Sequence, residues 1–319
     1  MLWTLRSFAA LVALAAVLAL SGAAFEAIAS SRDAAAPPPA GRLVDVGGFR
    51  LHLHCMGEGI PTVVLDAGLG RESLDWSLVQ PDVARTTRVC AYDRAGMGWS
   101  DPSPHQRTPA AVARELHALL DNAGVSGPYV LAAHSLSGKY ARMFAVRYPR
   151  EVAGVVLVDA RHEYVDAFTT PDENQAFFDA VDTQGETYAW ARRLGVVRMF
   201  GSSLAGTPAF PAATRRAMAL IATRAAAITA TSAEARQRAA NDAELEASSL
   251  GDHPLIVLAA GESMTGIPHW SEAQRRQAAL SSRGELRVAQ GSSHCIQCDD
   301  PELVTRAIEE IVATVRFQR

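Results

Sequence analysis

Hydrophobic and polar positions divide the chain into three patterns. The first is an unbroken apolar run over residues 8–20, which grows to the length of a bilayer-spanning helix if it is carried through Phe25. The second begins near residue 42. Apolar and polar residues alternate over 42–46 and 49–55 around Gly47-Gly48, which predicts an antiparallel hairpin. Compact apolar runs at 62–65, 88–92, 129–132, 152–158 and 255–259, bounded by Gly, Pro or Asp, predict buried parallel strands. Between them, Ala113, Leu116, Leu119 and Leu120 recur at helical spacing within 109–123, and a second helix is expected over 137–148. Strand and helix in alternation define an α/β domain: a mostly parallel twisted sheet flanked by helices. The third pattern interrupts the second. Residues from about 161 to 250 are Ala-rich and strand-poor, and are expected to form an inserted helical cap.

Arg6 precedes the apolar run, and small residues follow it from Ser21 to Ala24. Residues 1–29 therefore read as an export signal or a membrane anchor, and both readings stand. Ala27-Ile28-Ala29 and Ser21-Gly22-Ala23 have the spacing of cleavage sites, whereas Glu26 is unusual so close to one. Residues 30–41, with Pro37-Pro38-Pro39, are expected to be a semi-stiff linker ahead of a domain spanning 42–319. Either fate of the N-terminus puts that domain outside the cytoplasm, exported or anchored, with membrane association through the N-terminal segment in the second case.

At 319 residues and 49% hydrophobic composition, the chain can bury a large core without staples. A formal charge of -4 leaves no broad cationic face, so nucleic acid is not an expected partner. Four cysteines in an exported protein permit disulfides without fixing their pairing. Cys55 and Cys90 fall in predicted strands and read as small buried hydrophobes. Cys295 and Cys298 have redox-motif spacing but lack a thioredoxin-like context, so a packing or structural-disulfide role is expected. His52 and His54 share a strand face, but no metal or cofactor is expected.

The chemistry concentrates where the strand at 129–132 runs into Ala133-His134-Ser135-Leu136-Ser137-Gly138 and then a helix. A sharp strand-to-helix turn lifts a Ser hydroxyl clear of a sheet, and it demands small residues two positions on either side. The following helix aims backbone N–H groups at the same place. Ser135 is the candidate nucleophile.

Three segments occur in a telling order: residues 61–69 (PTVVLDAGL), residues 92–100 (YDRAGMGWS) and residues 133–138 (AHSLSG). Together they resemble the α/β-hydrolase superfamily, and the resemblance covers nearly everything from Arg42 onward. It implies an α/β-hydrolase fold and a Ser-Asp-His triad whose base follows the last strand, where a strand ending near Ala289, a Gly291 loop and His294 stand. Two departures keep small residues: Ala67-Gly68 stands for the usual His-Gly, and Ala133 and Ser137 stand at the outer Gly positions of the elbow. The resemblance implies an oxyanion hole from the backbone N–H groups of Leu69 and Leu136. Its usual acid position, after the seventh strand, is occupied by Met264. The candidates are then Asp159, at the end of the sixth strand, and Glu262, with Asp159 favoured for its place at a strand end. Asp93-Arg94 is read as structural.

The implied activity is that of a serine hydrolase acting on carboxylic esters of small or medium-sized molecules through an acyl-enzyme on Ser135. The same triad serves acyl transfer and amide, thioester or carbon–carbon cleavage, and a fold that has lost turnover would serve binding alone. Phe177, Phe178, Trp190, Met199, Phe200 and Phe210 of the insertion are expected either to line an acyl pocket or, for most of them, to form the core of the cap.

Overall fold

The computed structural model describes residues 2–35, 40–201, 209–238, 245 and 248–318. Eight strands form one sheet in the order β1-β2-β4-β3-β5-β6-β7-β8. β1 (Arg42–Asp45) and β2 (Arg50–Met56) make the expected hairpin, and β2 pairs antiparallel with β4 (Val89–Tyr92). All other pairings are parallel, through β3 (Thr62–Asp66), β5 (Tyr129–His134), β6 (Val152–Val158), β7 (Leu255–Ala260) and β8 (Gly284–Ala289). Every residue of β3, β5 and β7 is buried. Helices cover both faces of a parallel sheet, so its central strands read as continuous apolar runs.

Before the sheet lies α1 (Leu2–Ala35), and α2 (Gln80–Val83) leads into β4. On one face, α3 (Pro109–Asn122) and α4 (Ser137–Arg147) bury Leu116, Leu119, Met143 and Phe144. Thr108 caps α3 by accepting from Ala111 N, with Pro109 at the first helical position. The other face is closed by Ile308, Ile311 and Val312 of the C-terminal helix.

Between β6 and β7 come α5 (Glu163–Asp166), α6 (Pro171–Arg193), α7 (Val196–Phe200), α8 (Ala212–Ala222) and α9 (Ala225–Gln237). Thr170 and Glu173 form a reciprocal capping box that starts α6. After β7 follow α10 (Gly261–Gly266) and α11 (Trp270–Ala278), and after β8 follow α12 (Ile296–Asp299) and α13 (Pro301–Phe317).

Three expectations change. Helix α1 continues to Ala35, so the first part of the expected linker is helical; Pro37–Pro39 lie outside the described residues. Strand β5 runs on to His134, because pairing with β6 persists to His134 opposite Val158. Cys55 and Cys90 are not separate buried thiols: they face each other across the β2–β4 pairing and are joined by a disulfide.

Candidate active site

Ser135 follows β5 directly and has φ 55°, a left-handed backbone that costs a non-glycine residue about 1–3 kcal/mol and persists only where its surroundings enforce it. Here they do. Ser135 N donates to Val158 O at 3.0 Å, and the Ser135 carbonyl accepts from Gly138 N and Arg161 N. A Cβ on Gly138 would sit 2.5 Å from Ala160 Cβ, so the helix can start this close to β6 only with glycine there. Ser137 is tolerated in a buried elbow position because its hydroxyl lies 2.8 Å from the Asp66 carbonyl and 2.7 Å from that of His134.

His294 and Asp159 meet Ser135 from two other strand ends. His294 Nε2 lies 2.8 Å from Ser135 Oγ, and its Nδ1 lies 2.6 Å from Asp159 Oδ2. Asp159 is fully buried and, like Ser135, has positive φ, at 40°. Three further donors converge on its carboxylate: Ala260 N at 3.0 Å, Ser263 Oγ at 2.5 Å and Trp270 Nε1 at 2.8 Å. A buried carboxylate needs such partners, since an unpaired one would cost several kcal/mol. Of the two candidate acids, the structure brings Asp159 to His294. Glu262 is exposed on α10, while Met264 packs with Val165, Trp270 and Ala273 beneath the indole.

The segment after β3 passes beside the elbow. A Cβ on Gly68 would lie 2.9 Å from His134 Nδ1 and 3.3 Å from Ser135 Cβ, which explains glycine there. Leu69 packs against Val112, Leu136 and Tyr140, drawing the two candidate oxyanion segments together. Among the described residues, neither Leu69 N nor Leu136 N has an acceptor. Arg94, fully buried, orients this segment. Its Nη1 donates to Asp66 Oδ1 at 2.6 Å and to the Ala67 carbonyl at 2.5 Å, and its Nη2 to the Gly68 carbonyl at 2.7 Å. Nε and the second hydrogen of Nη2 donate to Glu234 Oε1 and Oε2 of α9, at 2.8 Å each. With two successive carbonyls turned toward Arg94, the next N–H is left for the site side. The cap closes over this segment: a Cβ on Gly70 would meet Thr231, and one on Gly96 would meet Ala230, both on α9.

His134 sits under His294 with ring centroids 4.8 Å apart, and its Nε2 donates to the His294 carbonyl at 2.9 Å. Burial, reinforced by the neighbouring His294, lowers its pKa to about 4, so His134 is a neutral brace at neutral pH. Immediately after His294, Cys295 and Cys298 are joined in a disulfide around α12. The two cysteines pack with Phe210, Met218, Leu74 and Leu78, which ties the His294 loop to α8 of the cap. Asp93 takes no part in the relay. It accepts from Ser73 N at 2.7 Å and Trp99 N at 3.0 Å and lies 2.8 Å from His52 Nδ1, while His52 Nε2 is 2.7 Å from the Ala40 carbonyl.

Trp270, Ser263 and the bridge from Arg94 to Glu234 went unread in the sequence. An indole donor more than a hundred residues from its acceptor leaves no local pattern. Only the Arg in residues 92–100 carried a signal, and it did not say which carbonyls would be gripped.

A serine after β5, a buried aspartate after β6 and a histidine beyond β8 thus meet on one side of a mainly parallel sheet, and the class that the fold defines is that of the α/β hydrolases. The chain matches the model of the alpha/beta hydrolase fold over residues 61–301 and belongs to that family. It is 30% identical over 245 residues to an uncharacterised protein of Schizosaccharomyces pombe, an alignment that covers 73% of this chain and 43% of the relative. The uncharacterised protein YqjL of Bacillus subtilis is 26% identical over 262 residues, with 81% of this chain and 86% of that one covered. This chain thus spans less than half the length of the first of these relatives. Among solved structures, a thermophilic esterase from Thermogutta terrifontis superposes with a TM-score of 0.64 at 21% identity, covering 86% of this chain and 98% of the other.

Proposed function

We propose that this protein is a serine hydrolase that cleaves carboxylic esters through an acyl-enzyme on Ser135. The observation that carries the reading is the continuous relay from Asp159 through His294 to Ser135, at 2.6 and 2.8 Å. In this mechanism His294 Nε2 removes the Ser135 proton as Oγ attacks the ester carbonyl, and Asp159 holds the tautomer and balances the imidazolium. The tetrahedral oxyanion is met by the N–H groups of Leu69 and Leu136. Collapse expels the alcohol, which takes the proton back from His294. Water, activated by the same histidine, then releases the acid and restores the serine. With the His294 side chain 44% exposed, solvent reaches the base directly, as deacylation by water requires.

The same reading places the domain outside the cytoplasm. Two disulfides are at home in an oxidising compartment, and one N-terminal helix, within residues 4–32, is long and apolar enough to cross a membrane.

The test is labelling of the purified protein with a fluorophosphonate and location of the adduct by mass spectrometry. An adduct on Ser135 that is absent from Ser135→Ala, with turnover of short-chain nitrophenyl esters, is the expected outcome. A folded protein whose Ser135 stays unlabelled and which turns over no ester would transfer the function to binding.

A further inference from the structure

Trp190, Met199 and Phe200 do not build the core of the cap: they are 61%, 57% and 59% exposed. Leu194 and Val196 between them are exposed as well, so the corner joining α6 to α7 presents five large apolar side chains outward. An apolar patch of this kind on a soluble domain marks a surface that something covers.

The same corner holds α1. From Thr4 to Leu18 that helix is exposed on every side, but Ala19, Gly22, Ala23, Glu26, Ala29 and Ser30 form a partly or fully buried stripe at helical spacing. A Cβ on Gly22 would collide with the Leu194 carbonyl, so backbone meets backbone at this crossing. One turn further on, Glu26 is 4% exposed. Its carboxylate accepts from Arg198 Nε at 2.9 Å and from Ser30 Oγ at 2.6 Å, with Arg192 Nη1 at 3.5 Å. A leader cut away after Ala23 would take Gly22 from the Leu194 turn, and one cut away after Ala29 would take Glu26 from its arginines as well.

We propose that α1 is retained as a membrane anchor and that the α6–α7 corner beside it docks into the lipid bilayer. The lengths agree. Thr4 to Gly22 spans about 27 Å of helix, close to the ~30 Å hydrocarbon thickness, so Gly22 and the Leu194-Gly195 turn against it stand at the membrane boundary. Glu26 and its arginines then lie among the headgroups, where paired charge is tolerated. Trp190 lies under the Arg193 guanidinium at 5.0 Å, an aromatic and a cation at the level where both are favoured. The outward Met199 and Phe200 complete an apolar edge continuous with the anchor, and the bilayer is the one occupant that both would share.

Two measurements on the full chain test this. Intact-mass analysis of protein extracted from the membranes of expressing cells should find the apolar segment of residues 8–20 and Gly22 still attached; a soluble mature form beginning after Ala23 or Ala29 would overturn the proposal. The full chain, carrying Trp3→Phe, is then reconstituted into phosphatidylcholine vesicles whose acyl chains are brominated near the headgroup. Its emission should be quenched relative to unbrominated vesicles, and Trp190→Phe, a change on the surface, should remove that quenching. Equal quenching with and without Trp190, or none in either, would overturn docking even if the anchor is retained. Neither readout depends on ester turnover, so failure here is separate from failure of the hydrolase reading.

Discussion

Trp270 Nε1 donates to Asp159 Oδ1 at 2.8 Å from the first turn of α11, while His294 takes the other oxygen of the same carboxylate. The indole thus fixes the rotamer of the acid on the side away from the histidine. A hydrogen bond to a charged group contributes about 1.5–3 kcal/mol, so Trp270→Phe is expected to lower kcat about 10- to 100-fold with KM nearly unchanged. Steady-state kinetics on a soluble ester checks this. A rise in KM alone would mean that the indole contacts substrate instead of holding the acid.

Asp159→Asn leaves the shape intact but offers His294 the wrong partner for its Nδ1 proton. Turnover should fall by about four orders of magnitude, whereas Glu262→Gln, on an exposed α10 position, should leave it unchanged. The opposite outcome would move the acid to α10.

Arg94 joins Asp66, two successive carbonyls and Glu234 in a buried network. Arg94→Met strands two buried carboxylates and is expected to cost about 3–5 kcal/mol in urea unfolding. Whatever folded protein remains should show reduced kcat, since the Leu69 N–H is no longer aimed. Arg94→Lys keeps the charge but not the fork, so it should recover stability better than kcat.

The His134 value of about 4 lies below the ordinary histidine value near 6.5, so between these limits the unfolded chain binds a proton that the folded chain does not. Stability from this group is therefore present above about pH 6.5 and is lost as the pH falls toward 4, by at most about 3 kcal/mol. His162, lowered to about 4 by burial despite Glu163 beside it, acts over the same window. His134→Gln keeps a donor for the His294 carbonyl and removes the titration. Its unfolding free energy should depend less steeply on pH than that of the wild type between 6.5 and 4; parallel profiles would refute the assignment.

The Cys55–Cys90 disulfide closes a loop of 35 residues at the hairpin side of the sheet. Chain-entropy reasoning assigns such a cross-link about 3–4 kcal/mol. The double variant Cys55→Ala/Cys90→Ala should unfold at correspondingly lower urea, with unchanged turnover, because neither cysteine touches the relay.

Much of this arrangement can be read along the chain. Each core strand is a short apolar run between breakers, and Ser135 is flanked by the small residues that an elbow needs. His294 follows the last strand and a glycine loop. These are local signals, a matter of backbone period and steric room within a few residues, and family resemblance adds their order. The weighing of Asp159 against Glu262 also rested on a local feature, the end of a strand.

What the linear pattern left open depends on pairs distant in sequence. A cysteine in a strand looks the same whether it packs or bonds across to a partner, and only the β2–β4 register brings Cys55 and Cys90 together. A large apolar side chain in a helical insertion looks the same whether it faces inward or outward, and only the folded cap shows that Trp190, Met199 and Phe200 face outward. Periodicity determined the sheet and the small residues around Ser135 the elbow, because those follow from contacts within a segment, while the family resemblance gave the histidine its place. The donors to Asp159, the grip of Arg94 on the oxyanion segment and the clamp on Glu26 were decided by the tertiary structure. They are side-chain contacts across long separations, and in these the chain that carries the donor does not reveal the acceptor.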